Sequence, residues 1–194
     1  MTPAEWKRLA SPALGPEWNF SKLLAYCAPV GWVLHGVLAE RSRAGGFYLW
    51  SVRMPLYVRS TVLDLSWSER VGGGACVWED GAAATQAVVD TGASIIDEVK
   101  AADCILIPPP GGADNVRMQE ARAYGLVLED AVTSAIEVLG RVCRYEASYP
   151  WEHDIVARAS EVRAMLAGNK VQDVLALLAE WRSSTAAVLG VRLS

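Results

Sequence analysis

Histidine is almost absent from this chain. Only His35 and His153 occur in 194 residues, and no H-E-x-x-H, H-x-H or H-x-x-E spacing surrounds either one. That excludes the common helical zinc motifs and leaves a His-based triad without obvious partners. No apolar run reaches the length of a membrane span, because Arg, Glu, Asp or Lys interrupts each one. The start, MTPAEWKRLA, lacks a basic segment followed by an apolar one, so the expectation is a cytoplasmic protein without a membrane anchor. Basic charge is also scarce. With 18 Lys+Arg against 22 Asp+Glu the net charge is −4, which argues against a nucleic-acid binder that must neutralise phosphates.

Cysteine is present but poorly spaced for chemistry. No two of Cys27, Cys76, Cys104 and Cys143 form a C-x-x-C pair, and all four have apolar neighbours. They read as small reduced hydrophobes, with no metal site and no cofactor expected. The glycine-rich stretches are equally unpromising. Gly72-Gly73-Gly74 is not followed by Lys-Ser/Thr, Gly111-Gly112 follows three prolines and no strand, and no G-x-S-x-G elbow occurs. Adjacent acidic pairs such as Asp97-Glu98 and Glu129-Asp130 point in different directions on a helix, so they do not form a two-carboxylate site. His35, alternating with Val33 and Val37, reads as a packed residue with one hydrogen bond.

What the chain does contain is apolar material, 52% of residues, and eight tryptophans against two phenylalanines. That is ample for a buried core. Thr2-Pro3-Ala4-Glu5 predicts an N-capped helix that Gly15-Pro16 breaks. Residues 17–28 are read as a second helical piece ended by Pro29. Period 2 then replaces period 3.6. Residues 31–41 alternate loosely, Gly45-Gly46 marks a turn, and residues 47–58 form the clearest strand. There Tyr48, Trp50, Val52, Met54, Leu56 and Val58 share one face, and Pro55 implies an edge or bulge. Residues 62–71 are expected to be a further strand, with residues 75–78 as a short fourth.

From Gly81 the period is helical: a long segment over 82–106, a break at Pro108-Pro109-Pro110-Gly111-Gly112, then helices over 115–128, 131–144, 151–167 and 171–189. The short joints between them predict antiparallel hairpins. The expected fold is therefore α+β: N-terminal helices, an antiparallel meander of three or four strands, and a C-terminal helical half. A helix-plus-sheet region over 1–80 and a helical region over 81–194 are expected to pack as one unit, since the first alone would bury little.

Charge is uneven along this plan. Residues 1–60 hold Lys7, Arg8, Lys22, Arg41, Arg43, Arg53 and Arg59 against Glu5, Glu17 and Glu40, and the remainder is acidic. On the proposed sheet, Ser51 and Arg53 would share a surface with Asp64, Ser66, Ser68 and Arg70, a polar face able to engage a protein partner through specific pairs. The run from Gly46 to Val58, followed by Leu63-Asp64-Leu65-Ser66-Trp67 and closed by the helix around Leu175 to Trp181, resembles small bacterial α+β proteins, some of them suspected immunity proteins of toxin systems. The resemblance implies a non-catalytic protein-binding role, as an immunity protein or an accessory subunit of an assembly. The competing reading is a small-ligand-binding protein or atypical enzyme, with a pocket between sheet and helices lined by His35, Trp50, Arg53 and Trp67.

Overall fold

A computed structural model describes residues 1–43, 45–73, 77–79, 81–101 and 115–193. The first helix, α1 (Pro3–Leu14), begins as its sequence requires. The Thr2 hydroxyl accepts from the Glu5 amide at 3.2 Å and the Glu5 carboxylate accepts from the Thr2 amide, so two otherwise orphaned donors are satisfied together. Its apolar stripe, Trp6, Leu9, Ala10 and Leu14, is buried.

Residues 17–28 are not helical. They form a hairpin of β1 (Trp18–Ser21) and β2 (Leu24–Cys27), closed by a two-residue turn in which Lys22 takes φ 53°. A short apolar run satisfies either period, and pairing decided the outcome: Leu24, Ala25 and Tyr26 lie opposite Leu38, Val37 and Gly36 of β3 (Val33–Arg41). The strands are pressed together at Gly36, where a Cβ would fall 2.5 Å from the Ala25 carbonyl oxygen. Gly45 and Gly46, with φ of 97° and 66°, turn the chain into β4 (Phe47–Pro55).

Pro55 ends β4, as a residue without an amide donor should. Only Glu69–Arg70 of the expected strand over 62–71 pairs, as β5. Upstream of it the Asp64 carboxylate accepts from the Ser66 amide at 2.9 Å and the Leu65 carbonyl accepts from the Ser68 amide at 2.9 Å. These local bonds replace a ladder, the usual effect of Asp and Ser near a turn. Of the short strand expected over 75–78, Trp78 makes a paired bridge to Phe47, while Ala75 and Cys76 lie outside the described residues. The sheet therefore has five strands in the order β1-β2-β3-β4-β5.

One face of this sheet is packed by α1 and by α2 (Ala82–Ala101). Val37, Ala39, Ala25, Phe47 and Leu49 meet Trp6, Leu9, Leu14, Val88 and Ile95 there. The expected continuation of α2 to 106, and the proline break after it, lie outside the described residues. Four more helices follow within a residue or so of their expected bounds at most ends: α3 (Val116–Leu128), α4 (Val132–Val142), α5 (Pro150–Ala167) and α6 (Val171–Leu189). Asn115 caps α3 through its side-chain oxygen, and Asp130 and Asn169 take the positive φ of 58° at the two tight joints.

The chain divides into two compact units. One comprises Met1–Met54, Val62–Asp103 and Ala186–Ser194, the other Pro55–Thr61 and Cys104–Thr185. The sheet and α2 therefore belong to the same unit. In the second unit Thr185, fully buried, ties the 55–61 segment down by donating to the Val58 carbonyl and accepting from the Ser60 amide.

Candidate functional site

The pairing register decides where the six predicted partner-binding residues go. Trp50 lies opposite Arg70 and Ser51 opposite Glu69, so even-numbered residues of both strands share a face. Arg70 accordingly sits with Tyr48 and Trp50, its guanidinium 4.1 Å and 4.7 Å from their ring centroids, and not with Ser51 and Arg53. The Glu40 carboxylate accepts from the Trp50 indole at 2.8 Å and from Arg70 at 3.4 Å, which closes a half-exposed aromatic and ionic cluster. Asp64 and Ser66 are engaged in their own turn. Ser68 is brought to Arg53, with its hydroxyl against the Arg53 backbone.

Arg53 faces α2, where its guanidinium grips the Glu98 carboxylate through Nε and Nη2, the Nε bond being 2.9 Å. About a third of each side chain remains open to solvent, 31% and 33%. His35 lies on the same sheet face, and its Nδ1 is buried without a hydrogen-bond partner among the described residues. Burial pushes this imidazole below its ordinary range; the Glu98 carboxylate opposes the shift and Arg53 adds to it. Three titratable side chains from β3, β4 and α2 thus act on one another. The arrangement holds a neutral imidazole beside a neutralised ion pair. Trp50 is not part of it, because it projects from the other side of β4.

The second unit contains a polar cluster of a different kind. Glu120 of α3 is fully buried and accepts from Arg158 of α5 at 2.9 Å and 3.2 Å and from the Tyr124 hydroxyl at 3.1 Å. Burial pushes the Glu120 carboxyl above its ordinary range, and Arg158 limits the shift. The Tyr124 ring packs on Trp181 at a centroid distance of 5.5 Å, carrying the cluster to α6. With every carboxylate oxygen occupied, this is a clamp between helices rather than a reactive group.

The exposed surface of this unit is more informative. At the entry to α5, Glu152 is held in place by accepting from the amides of Ser148 and Tyr149 and from the Tyr145 hydroxyl, which lower its carboxyl pKa. That cap fixes the backbone from which Tyr149 and Trp151 project, 60% and 42% exposed. Their rings are nearly parallel, 7° apart with centroids 6.4 Å apart, and the Arg117 guanidinium stands 4.6 Å from the Trp151 centroid. Two large exposed aromatics beside an arginine are the composition that dominates binding energies at protein interfaces. The sequence carried a signal for this patch: Tyr149 and Trp151 flank Pro150 at the first turn of a helix, where side chains point away from the helix stripe.

In a concavity lined by Met1, Glu5, Gly46, Phe47 and Glu79 the N-terminal amine pairs with Glu5 at 3.6 Å. Among the described residues no group of three His, Cys, Asp or Glu side chains converges as a metal site would require, and no helix is long and apolar enough to cross a membrane. Compared with family models, curated proteins and solved structures, the chain matches none of them.

Proposed function

We propose that this is a non-catalytic binding protein that recognises another protein, of the immunity or accessory-subunit kind, through the aromatic surface at the start of α5. The observation that carries the reading is the exposed pair Tyr149 and Trp151 with Arg117 against the indole. Leaving such area in water is unfavourable, and covering it supplies binding energy at little cost in side-chain entropy. A cytoplasmic setting is part of this proposal. The test is capture on the tagged chain from its source cell, with wild type against Tyr149→Ser/Trp151→Ser. A stoichiometric protein partner retained by wild type and lost by a variant of unchanged melting temperature supports the reading. Equal retention by both overturns it.

A second reading, small-ligand binding, draws on one observation: among the described residues the Nδ1 of His35, beside Arg53 and Glu98, has no hydrogen-bond partner. A ligand donating to that nitrogen would shift the His35 NMR titration. An unchanged titration across a metabolite library would dismiss it.

A further inference from the structure

The sheet face that carries Tyr48 and Trp50 holds a cation between aromatic rings, and that cation is the chain's own. Arg70, opposite Trp50 in the β4–β5 register, places its guanidinium 4.1 Å from the Tyr48 ring centroid and 4.7 Å from that of Trp50. The Glu40 carboxylate of β3 supplies the counter-charge. Two ring faces and a carboxylate are the combination that holds an organic cation, because the negative faces of the rings attract it where water is thinned out. All four side chains are partly exposed, so a solute can reach them. Arg70 fills this cage imperfectly. It donates to Glu40 from Nη2 at 3.4 Å, longer than the roughly 2.8 Å of a good charge-assisted bond. Arg53 and Arg158 grip their glutamates through both Nε and Nη2. Glu40 is engaged through Oε2, which also accepts from the Trp50 indole at 2.8 Å, while its Oε1 has no hydrogen-bond partner among the described residues.

We propose that Tyr48, Trp50 and Glu40 form a binding site for a guanidinium group, with Arg70 as a built-in competitor that an incoming guanidinium displaces. The strand pairing does not oppose the exchange. β5 pairs with β4 through its backbone, so the Arg70 side chain can swing into water while the ladder stays closed. A guanidinium suits the site better than a quaternary ammonium, since it lies flat on the rings and also presents a planar fork to both oxygens of Glu40. Because Arg70 is tethered beside the cage, it excludes weak cations and yields only to a ligand that uses the carboxylate more fully. None of these residues belongs to the surface at the start of α5, and the site does not depend on the protein-binding proposal.

The experiment titrates the full chain with ethylguanidinium chloride, replacing sodium chloride at constant ionic strength, and follows the Trp50 indole and Arg70 Nε–H NMR signals. The expected result is saturable shifts at both, with a Kd on the order of 10 mM. Arg70→Gln should bind about tenfold tighter, because the chain's own guanidinium no longer competes. In that background Glu40→Gln should weaken binding about tenfold, and Trp50→Leu should abolish it. A short arginine peptide that binds more tightly than ethylguanidinium assigns the site to an arginine of a partner protein. Equal or weaker binding assigns it to a free guanidino compound, and either result upholds the site. No saturable binding to wild type, equal affinity in wild type and Arg70→Gln, or tetramethylammonium binding as tightly as ethylguanidinium would each overturn the proposal. Should Arg70→Gln fail to fold, Tyr48→Leu decides the matter, since binding undiminished without that ring also overturns it.

Discussion

Each unit of this protein joins two elements with an arginine–glutamate pair, and the two pairs differ in almost everything but chemistry. Arg53–Glu98 fastens β4 to α2 with about a third of each side chain in water. Arg158–Glu120 fastens α5 to α3 with the carboxylate wholly buried and a tyrosine hydroxyl on one of its oxygens. The first pair exchanges readily with solvent and is screened by salt, so its net contribution is small. In the second the Glu120 carboxylate cannot be rehydrated if Arg158 is lost. The same two residue types are thus a dispensable surface link in one unit and an obligatory lock in the other. Burial makes the difference.

This contrast can be broken most easily at Arg158. Replacing it with Met leaves the buried Glu120 carboxyl without its counter-charge, and urea denaturation should show a loss of about 3 kcal/mol. Glu120→Met/Arg158→Met should recover most of that loss, because no unpaired charge remains. A loss well under 1 kcal/mol in the single variant would mean that Glu120 is not sealed from water.

Acidity should separate the units by the sign of their response. His35 gives up its proton more readily in the folded chain than in the unfolded one. Its contribution to stability is therefore complete above its ordinary pKa of 6.5 and is lost as pH falls below it. Glu120 holds its proton to higher pH when folded, so its contribution is present at low pH and is lost as pH rises past its ordinary 4.5. His35→Gln should flatten the rise of stability with pH below 6.5, and Glu120→Gln should flatten the fall with pH above 4.5. Denaturation midpoints at successive pH values measure both, and parallel profiles for wild type and the two variants would refute the assignment.

Arg53→Met should cost no more than about 1 kcal/mol, and the cost should shrink in high salt. The smallest effect on stability belongs to Tyr149→Ser, within about 0.5 kcal/mol by thermal unfolding, because most of this ring is exposed. A large loss there would show that this ring supports the fold rather than awaits a partner.

The helices were the most legible part of the sequence. α3 to α6 are separated by residues such as Asp130 and Asn169 that tolerate the left-handed turns between them, Asn115 caps α3 and Pro150 opens α5. The N-terminal capping box was equally plain. Residues 17–28 were not, because Trp18, Leu24 and Tyr26 fit a helix stripe or a strand face equally well, and only β3 could choose. Residues 62–68 alternate like a strand yet bond locally, since Asp64 and Ser68 supply acceptors and donors of their own.

The partner-facing residues show the limit most clearly. Sequence alternation correctly separates Tyr48 and Trp50 from Ser51 and Arg53, because side chains on a strand alternate by geometry alone. It cannot say which residue of β5 stands opposite which residue of β4, and a shift of one position moved Arg70 from the side of Arg53 to the rings of Tyr48 and Trp50. Of the eight tryptophans, Trp6, Trp18, Trp67 and Trp181 are buried as large rings usually are, but Trp151 stands in water. By itself the sequence determined the α+β class, the helical second half, the helix caps and the scarcity of catalytic residue types, all consequences of local periodicity and side-chain chemistry. The tertiary structure alone decided the register of the sheet and the burial that separates Glu120 from Glu98. Each of these depends on contacts between residues far apart in the chain, which local pattern does not encode.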